Sequence, residues 1–243
     1  MREAGAVPSD LNVIAGPRPD HGFVLVLPGG GYLSLSPSEA EPVCDWLASE
    51  GFPCGWLRYP VDPARHPAPL ATVLDAVLQL RGVVDGPIAV MGFSAGGHLA
   101  GLAATATSED IASLASGAES ARPDLAVLGY PVVSVHRRPM GRMGDSLLGP
   151  DPDDPASLSL ENRVTSQTPP CFVWHTAPDP SVPADESLRL GAALVAAGAE
   201  VELHLYPHGG HGLSVTRDAT VPRTRRWRED CSSWLAEHGV STR

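Results

Sequence analysis

The chain has 243 residues, 43% hydrophobic and 19% charged, which suffices for one large buried core and excludes a disulfide- or metal-stapled miniature. Acidic residues outnumber basic ones 28 to 17, and the net charge of -11 opposes a broad phosphate-backbone footprint, so nucleic acid is not an expected partner. All 17 basic residues are arginine. A guanidinium neither forms an imine nor titrates as a base near neutral pH, so Schiff-base, Walker-A and Ser-Lys chemistries are also excluded.

The opening residues carry Arg2, Glu3 and Asp10 without an apolar stretch of signal-peptide length, and nowhere do about eighteen apolar residues run together. The expectation is a cytoplasmic chain without membrane contact. Phe23, Val24, Leu25, Val26 and Leu27 predict a strand that feeds the glycine loop Pro28-Gly29-Gly30-Gly31. Residues 37–50 predict a helix with Ser38 as N-cap, Glu39 and Glu41 in the first turn, Val43, Trp46 and Leu47 on the apolar face, and Gly51 as its stop. A strand over 54–59 and a helix marked by Leu70, Val73, Leu74, Val77 and Leu78 follow. The run Ile88-Ala89-Val90-Met91 is apolar throughout, as a parallel strand covered on both faces requires, and a small-residue helix over 95–105 succeeds it.

Strand signals recur at 125–129 and 171–174, a helix at 185–197 and an alternating strand at 200–206. In the terminal helix Trp227, Cys231, Trp234 and Leu235 share one side, leaving Arg223, Arg225, Arg226 and Arg228 solvated. Strands alternating with helices predict an α/β class, a mostly parallel central sheet flanked by helices on both faces, with 1–243 as a single domain. The stretch 131–170 is far longer than an ordinary connection and is a candidate lid or pocket wall that holds Met140, Met143, Leu147 and Leu148. Cys44, Cys54, Cys171 and Cys231 lie outside any metal or redox spacing, so buried thiols are expected.

The chemistry concentrates in Gly92-Phe93-Ser94-Ala95-Gly96-Gly97, a G-x-S-x-G pattern between an apolar strand and an Ala-rich helix. Glycines are needed there because the serine occupies a sharp, strained turn where neighbouring side chains would strike backbone. An alcohol is a weak nucleophile, so it needs a base, an acid to orient that base and donors for the oxyanion. His211, in the glycine-rich loop after the strand ending at Tyr206, is favoured over His208 as base. Asp179, on the turn after the strand at 171–174, is favoured over Asp185, whose place at a helix start is sufficiently explained by the helix dipole. The order Ser94, Asp179, His211 is nucleophile, acid, base. The Ala95 amide and those of Gly29, Gly30 and Gly31 are the candidate oxyanion donors, with the choice among the three glycines open. Tyr32 is a candidate acyl-pocket residue, with a place in the core or at the rim an equal alternative; His98 is expected to be a packed helix histidine.

Several motifs in register extend this reading over nearly the whole chain: Leu27-Pro28-Gly29-Gly30-Gly31-Tyr32, Arg58-Tyr59-Pro60, Met91-Gly92-Phe93-Ser94-Ala95-Gly96-Gly97-His98, Leu160-Glu161-Asn162-Arg163-Val164-Thr165, Trp174-His175-Thr176-Ala177 and Gly210-His211-Gly212-Leu213. The chain resembles the α/β-hydrolase esterases of the acetylxylan and feruloyl esterase-like group. It departs from the related hormone-sensitive-lipase-like pattern in having Pro28 where that pattern begins with histidine, and Pro178 and Pro180 stiffen the acid turn. The resemblance implies an α/β-hydrolase fold and a serine carboxylesterase that needs no metal or organic cofactor. It further implies Ser94, Asp179 and His211 as catalytic residues, Gly30 or Gly31 with Ala95 as oxyanion donors, and small ester substrates such as acetylated xylose oligosaccharides. A formamidase-like amide hydrolase, an acyltransferase or a non-catalytic binding protein on the same fold are the competing expectations.

Overall fold

The uninterrupted apolar runs become the middle of a sheet. In the computed structural model, which describes residues 7–115, 121–137, 141–149, 154–216, 218 and 220–240, every residue of β2 (Phe23–Leu27) and β4 (Ile88–Phe93) is buried. The other strands are β1 (Leu11–Ala15), β3 (Cys54–Leu57), β5 (Leu125–Gly129), β6 (Cys171–Thr176) and β7 (Val201–Tyr206). They pair in the order β1-β3-β2-β4-β5-β6-β7, all parallel except β1 with β3. This is the mostly parallel architecture expected from the sequence.

Period-two alternation splits the core into two layers. Phe23, Leu25, Leu27, Ile88 and Val90 face one layer, where α2 (Ala68–Leu80), α3 (Ala95–Ala104) and α7 (Asp185–Ala197) supply Leu70, Val73, Leu99, Leu190 and Leu194. Val24, Val26, Ala89 and Met91 face the other, where α1 (Glu41–Ser49) and α8 (Trp227–Glu237) supply Val43, Leu47, Trp227, Trp234 and Leu235. Each large buried side chain contributes about 1.5–3 kcal/mol. A helix of nine residues such as α1 does not persist alone in water, so burial of this face is what holds it. Local chemistry sets the ends: Gly198, with φ 73°, closes α7 by donating to the Leu194 carbonyl, and a Thr107–Asp110 capping box opens α4 (Ser108–Leu114).

Three local features differ from expectation. The edge strand β1 leaves Val13 and Ile14 exposed and is held by backbone pairing to β3, so it lacks the periodic apolar signature of the inner strands. Residues Pro37–Glu39 form a separate 3-10 turn, and α1 starts only at Glu41 after Ala40; Ser38 caps no helix, because Glu39 is drawn into the interior at 3% exposure. The stretch 131–170 contains α5 (Gly141–Leu148), a 3-10 turn (Pro155–Leu158) and α6 (Leu160–Arg163), while Met140 lies outside the described residues. All four cysteines are free and buried, and among the described residues no helix is long and apolar enough to cross a membrane.

The tightest packing in the sheet is backbone against backbone. A Cβ on Gly96 would lie 2.1 Å from the Leu27 carbonyl oxygen and 2.5 Å from that of Pro28, whereas one on Gly16 would meet nothing within 4 Å. Gly96→Ala is therefore expected to lose more than about 2 kcal/mol of stability and Gly16→Ala less than about 0.5. Urea unfolding of both variants checks this; equal midpoints would contradict the close approach.

Candidate active site

With β4 ending at Phe93 and α3 starting at Ala95, Ser94 alone turns the chain, and its φ of 52° with ψ of -118° lies in the left-handed region that L residues avoid. The turn is held by the Ser94 amide donating to Gly129 O (3.0 Å) and by the Ser94 carbonyl accepting from the His98 (3.0 Å) and Val132 (3.2 Å) amides. Gly92 is required because a Cβ there would sit 2.0 Å from the Gly96 carbonyl oxygen. The outcome is a hydroxyl raised at the carboxyl rim of the sheet.

β6 and β7, which lie beyond β5 in the sheet, carry the partners to the same rim. Asp179 follows β6; its Oδ1 accepts from the Ser181 (2.8 Å) and Val182 (3.0 Å) amides, and its Oδ2 stands 2.7 Å from His211 Nδ1. His211 follows β7, and its Nε2 stands 2.9 Å from Ser94 Oγ. A carboxylate only accepts, so Nδ1 carries the hydrogen and Nε2 offers its lone pair to the hydroxyl. Tyr130 braces the imidazole edge-on, ring centres 5.0 Å apart. The alternatives lie elsewhere. His208 is exposed and its carbonyl accepts from the Thr224 hydroxyl, while Asp185 is exposed and pairs with Arg189.

Sequence reading gave His175 no role, yet the structure puts it directly behind the acid. It is fully buried at the end of β6, its Nδ1 accepts from the Ser187 hydroxyl (2.7 Å), and its Nε2 donates to Val182 O (2.9 Å) while lying 3.4 Å from Asp179 Oδ2. Burial by itself would raise the Asp179 carboxyl. Hydrogen bonds from His175, His211 and the Val182 and Ser181 amides outweigh it and hold the group well below the usual carboxylate range. Its sequence signals are the motif Trp174-His175-Thr176-Ala177 and a histidine near the end of an otherwise apolar strand.

On the other side of Ser94 the glycine loop is partly committed. The Gly29 amide donates to Glu39 Oε2 (2.8 Å), whereas no acceptor among the described residues takes the amides of Gly30, Gly31 or Ala95. Gly30 must be glycine, since its φ is 122° and a Cβ would sit 2.1 Å from Ser34 O. Tyr32, with φ 57°, turns inward to 1% exposure and donates its hydroxyl to His98 Nδ1 (2.9 Å), so its side chain belongs to the core. His98 in turn donates from Nε2 to Leu158 O (2.8 Å), and burial lowers its pKa to about 4, which leaves it uncharged near neutrality. It is the packed helix histidine expected.

Residues 24–215 match a family model described as alpha/beta hydrolase fold. The chain belongs to the alpha/beta hydrolase fold family. It is 33% identical over 208 residues to endo-1,4-beta-xylanase B of Butyrivibrio fibrisolvens, covering 80% of this chain and 33% of that protein. It is 28% identical over 210 residues to an acetylxylan esterase of Xylanibacter ruminicola, covering 81% and 42%. The chain thus spans well under half the length of these two curated relatives. Among solved structures it is similar to an acetyl ester-xyloside bifunctional hydrolase of Caldicellulosiruptor lactoaceticus, with a TM-score of 0.83 and 37% identity over 95% of this chain and 88% of that one.

In this alpha/beta hydrolase the depressed Asp179 carboxyl makes stability depend on pH in a defined direction. A carboxylate whose pKa is lower folded than unfolded stabilises above its unfolded value, about 3.9, and that contribution fades as pH falls toward the folded value. The gap in unfolding free energy between the native chain and Asp179→Asn is therefore expected to be widest above about pH 5 and to narrow below about pH 4. Denaturant titrations across that range check it; a gap that widens with acid would refute the assignment of charge.

Proposed function

We propose that the chain is a serine carboxylic ester hydrolase acting on short acyl esters, with acetyl groups on xylose-based carbohydrates as the substrate class, through an acyl-enzyme intermediate. The observation that carries this reading is the single imidazole spanning a buried carboxylate at 2.7 Å and a strained serine hydroxyl at 2.9 Å. Ser94 Oγ attacks the ester carbonyl while His211 Nε2 takes its proton, and Asp179 keeps the imidazole in the required tautomer and stabilises it once protonated. The tetrahedral oxyanion is met by the Ala95 amide and the uncommitted amides of Gly30 and Gly31. Collapse returns the proton from His211 to the departing alcohol. Water, deprotonated by the same nitrogen, then attacks the acyl-serine and releases the carboxylic acid, so that one ester and one water give one alcohol and one acid. Losing one oxyanion donor of this kind costs about 3–4 kcal/mol of transition-state stabilisation, comparable to other parts of the machinery.

The choice of substrate is supported by the esterase and acetyl ester-xyloside relatives. The xylanase name of the Butyrivibrio fibrisolvens protein is not carried over, because this chain matches only 33% of its length. In the proposed reaction α5 borders the acyl site, since Met143 Cβ lies 3.9 Å from where a Gly31 Cβ would lie.

Ser94→Ala is expected to keep the fold, abolish turnover of p-nitrophenyl acetate and abolish covalent labelling by a fluorophosphonate; persistent labelling at another residue would sink the reading. Asp179→Asn is expected to lower kcat by at least about a hundredfold and Asp185→Asn by less than about twofold, the large loss being that of a wrong tautomer. Met143→Ala is expected to raise the butyryl-to-acetyl ratio of kcat/KM by about tenfold, the scale on which a few methylenes discriminate. An unchanged ratio would remove α5 from the wall of the acyl site.

A further inference from the structure

Glu39 is a buried acid that the hydrolytic reading leaves without a task. We propose that Glu39 and Tyr130 form a positioning pair that locks the oxyanion loop to the loop carrying His211, an inference that rests on the serine-hydrolase reading above. Glu39 Oε2 accepts the Gly29 amide at 2.8 Å, and Oε1 accepts the Tyr130 hydroxyl at 2.6 Å. Tyr130 Oη then accepts the Ser214 amide at 3.1 Å, three residues beyond His211, while the Tyr130 ring stands against the imidazole itself. The circuit closes through Ser214, whose hydroxyl donates to Ser38 O (2.9 Å), the residue before Glu39. One carboxylate thereby connects the donors of the oxyanion to the base.

Two further observations indicate a functional and not merely a structural contact. The non-glycine residues with left-handed backbone among those described are Tyr32 (φ 57°), Ser94 (φ 52°), Tyr130 (φ 37°) and Ser214 (φ 44°). Such strain persists only where surroundings over-determine it, and here two of the four strained residues belong to the circuit and a third is the nucleophile. Secondly, Glu39 occupies the Gly29 amide, which leaves those of Gly30 and Gly31 as the loop's candidate oxyanion donors. The carboxylate is chemically necessary for this. An amide at position 39 has one accepting oxygen and a nitrogen that only donates, so Glu39→Gln leaves either the Gly29 N–H or the Tyr130 O–H unmet.

The test compares the native chain, Glu39→Gln, Tyr130→Phe and the double variant in p-nitrophenyl acetate hydrolysis, in the rate of fluorophosphonate labelling, and in thermal melting. Each single substitution is expected to lower kcat and the labelling rate by about tenfold or more with KM within about twofold, in chains that still melt cooperatively. The double variant is expected to be no more than about twofold worse than the worse single, since partners in one circuit fail together. Native kcat in either folded single variant, or losses that multiply in the double, would overturn the proposal. Should Glu39→Gln not fold, Tyr130→Phe decides alone, because it retains the ring against His211 and removes only the hydroxyl. Labelling reads serine reactivity whether or not an ester is turned over. A native chain that labels at Ser94 but hydrolyses no ester therefore overturns the ester reading, while the labelling rates still judge the pair.

Discussion

The molecule depends on one backbone contact, where the turn between β4 and α3 presses on the end of β2. Gly96 approaches the Leu27 and Pro28 carbonyls so closely that a methyl group does not fit, and Gly92 approaches the Gly96 carbonyl in the same way. These contacts make the elbow of Ser94 and the first residues of the glycine loop a single rigid unit. The Pro28 carbonyl is also the acceptor for the buried Tyr59 hydroxyl, so the unit is tied outward to β3 and its following loop. A nucleophile and its oxyanion donors must keep their separation to within a fraction of an ångström, and close-packed main chain provides that better than side chains with rotamers of their own.

Electrostatics supplies the second constraint. An unpaired carboxylate in the interior costs several kcal/mol and neutralises itself in preference to staying charged, so a buried acid is useful only when donors surround it. Asp179 meets that condition with two backbone amides and His211, and His175 stands behind it. Glu39 meets it differently, with one amide and one phenol. Burial, and next the Glu39 charge, push Tyr130 well above its ordinary value, so the phenol remains a donor. Asp179 thus contacts the imidazole directly, whereas Glu39 reaches it only through Tyr130.

What the sequence discloses follows from which interactions are local. Ser94 was legible because glycines at 92 and 96 mark the turn, and β2 and β4 were legible because strands covered on both faces must be apolar throughout. His211 and Asp179 could be placed from the strands preceding them. Glu39, Tyr130 and His175 could not, since their partners lie 10, 91 and 12 residues away along the chain and their residue types have ordinary local explanations. Glu39 illustrates the point: beside Glu41 it fits the acidic first turn of a helix, and only the separate 3-10 turn at Pro37–Glu39 frees it to point inward. β1 escaped for the opposite reason. Its hold on the sheet is main-chain pairing, to which side-chain periodicity is blind.

The segment beyond β5 shows how the glycine loop is fixed from its second side. Leu160 fills the space that a side chain at Gly101 would need, and Arg163 reaches back to Thr105 Oγ1 (3.2 Å) and to Asp110 (2.5 Å), which fastens α6 to α3 and α4. Leu158, in the preceding 3-10 turn, accepts from His98, and His98 accepts from Tyr32 in the residue directly after Gly31. The 3-10 turn and α6 of this segment are therefore fastened to α3 and α4. Glu39 holds the loop at Gly29 and the Tyr32–His98–Leu158 relay holds it at its other end, so Gly30 and Gly31 are bracketed by buried hydrogen bonds. Under the proposed function, donors held in this way lose little energy to reorganisation when charge develops on the substrate, which is the condition under which an oxyanion site accelerates a reaction.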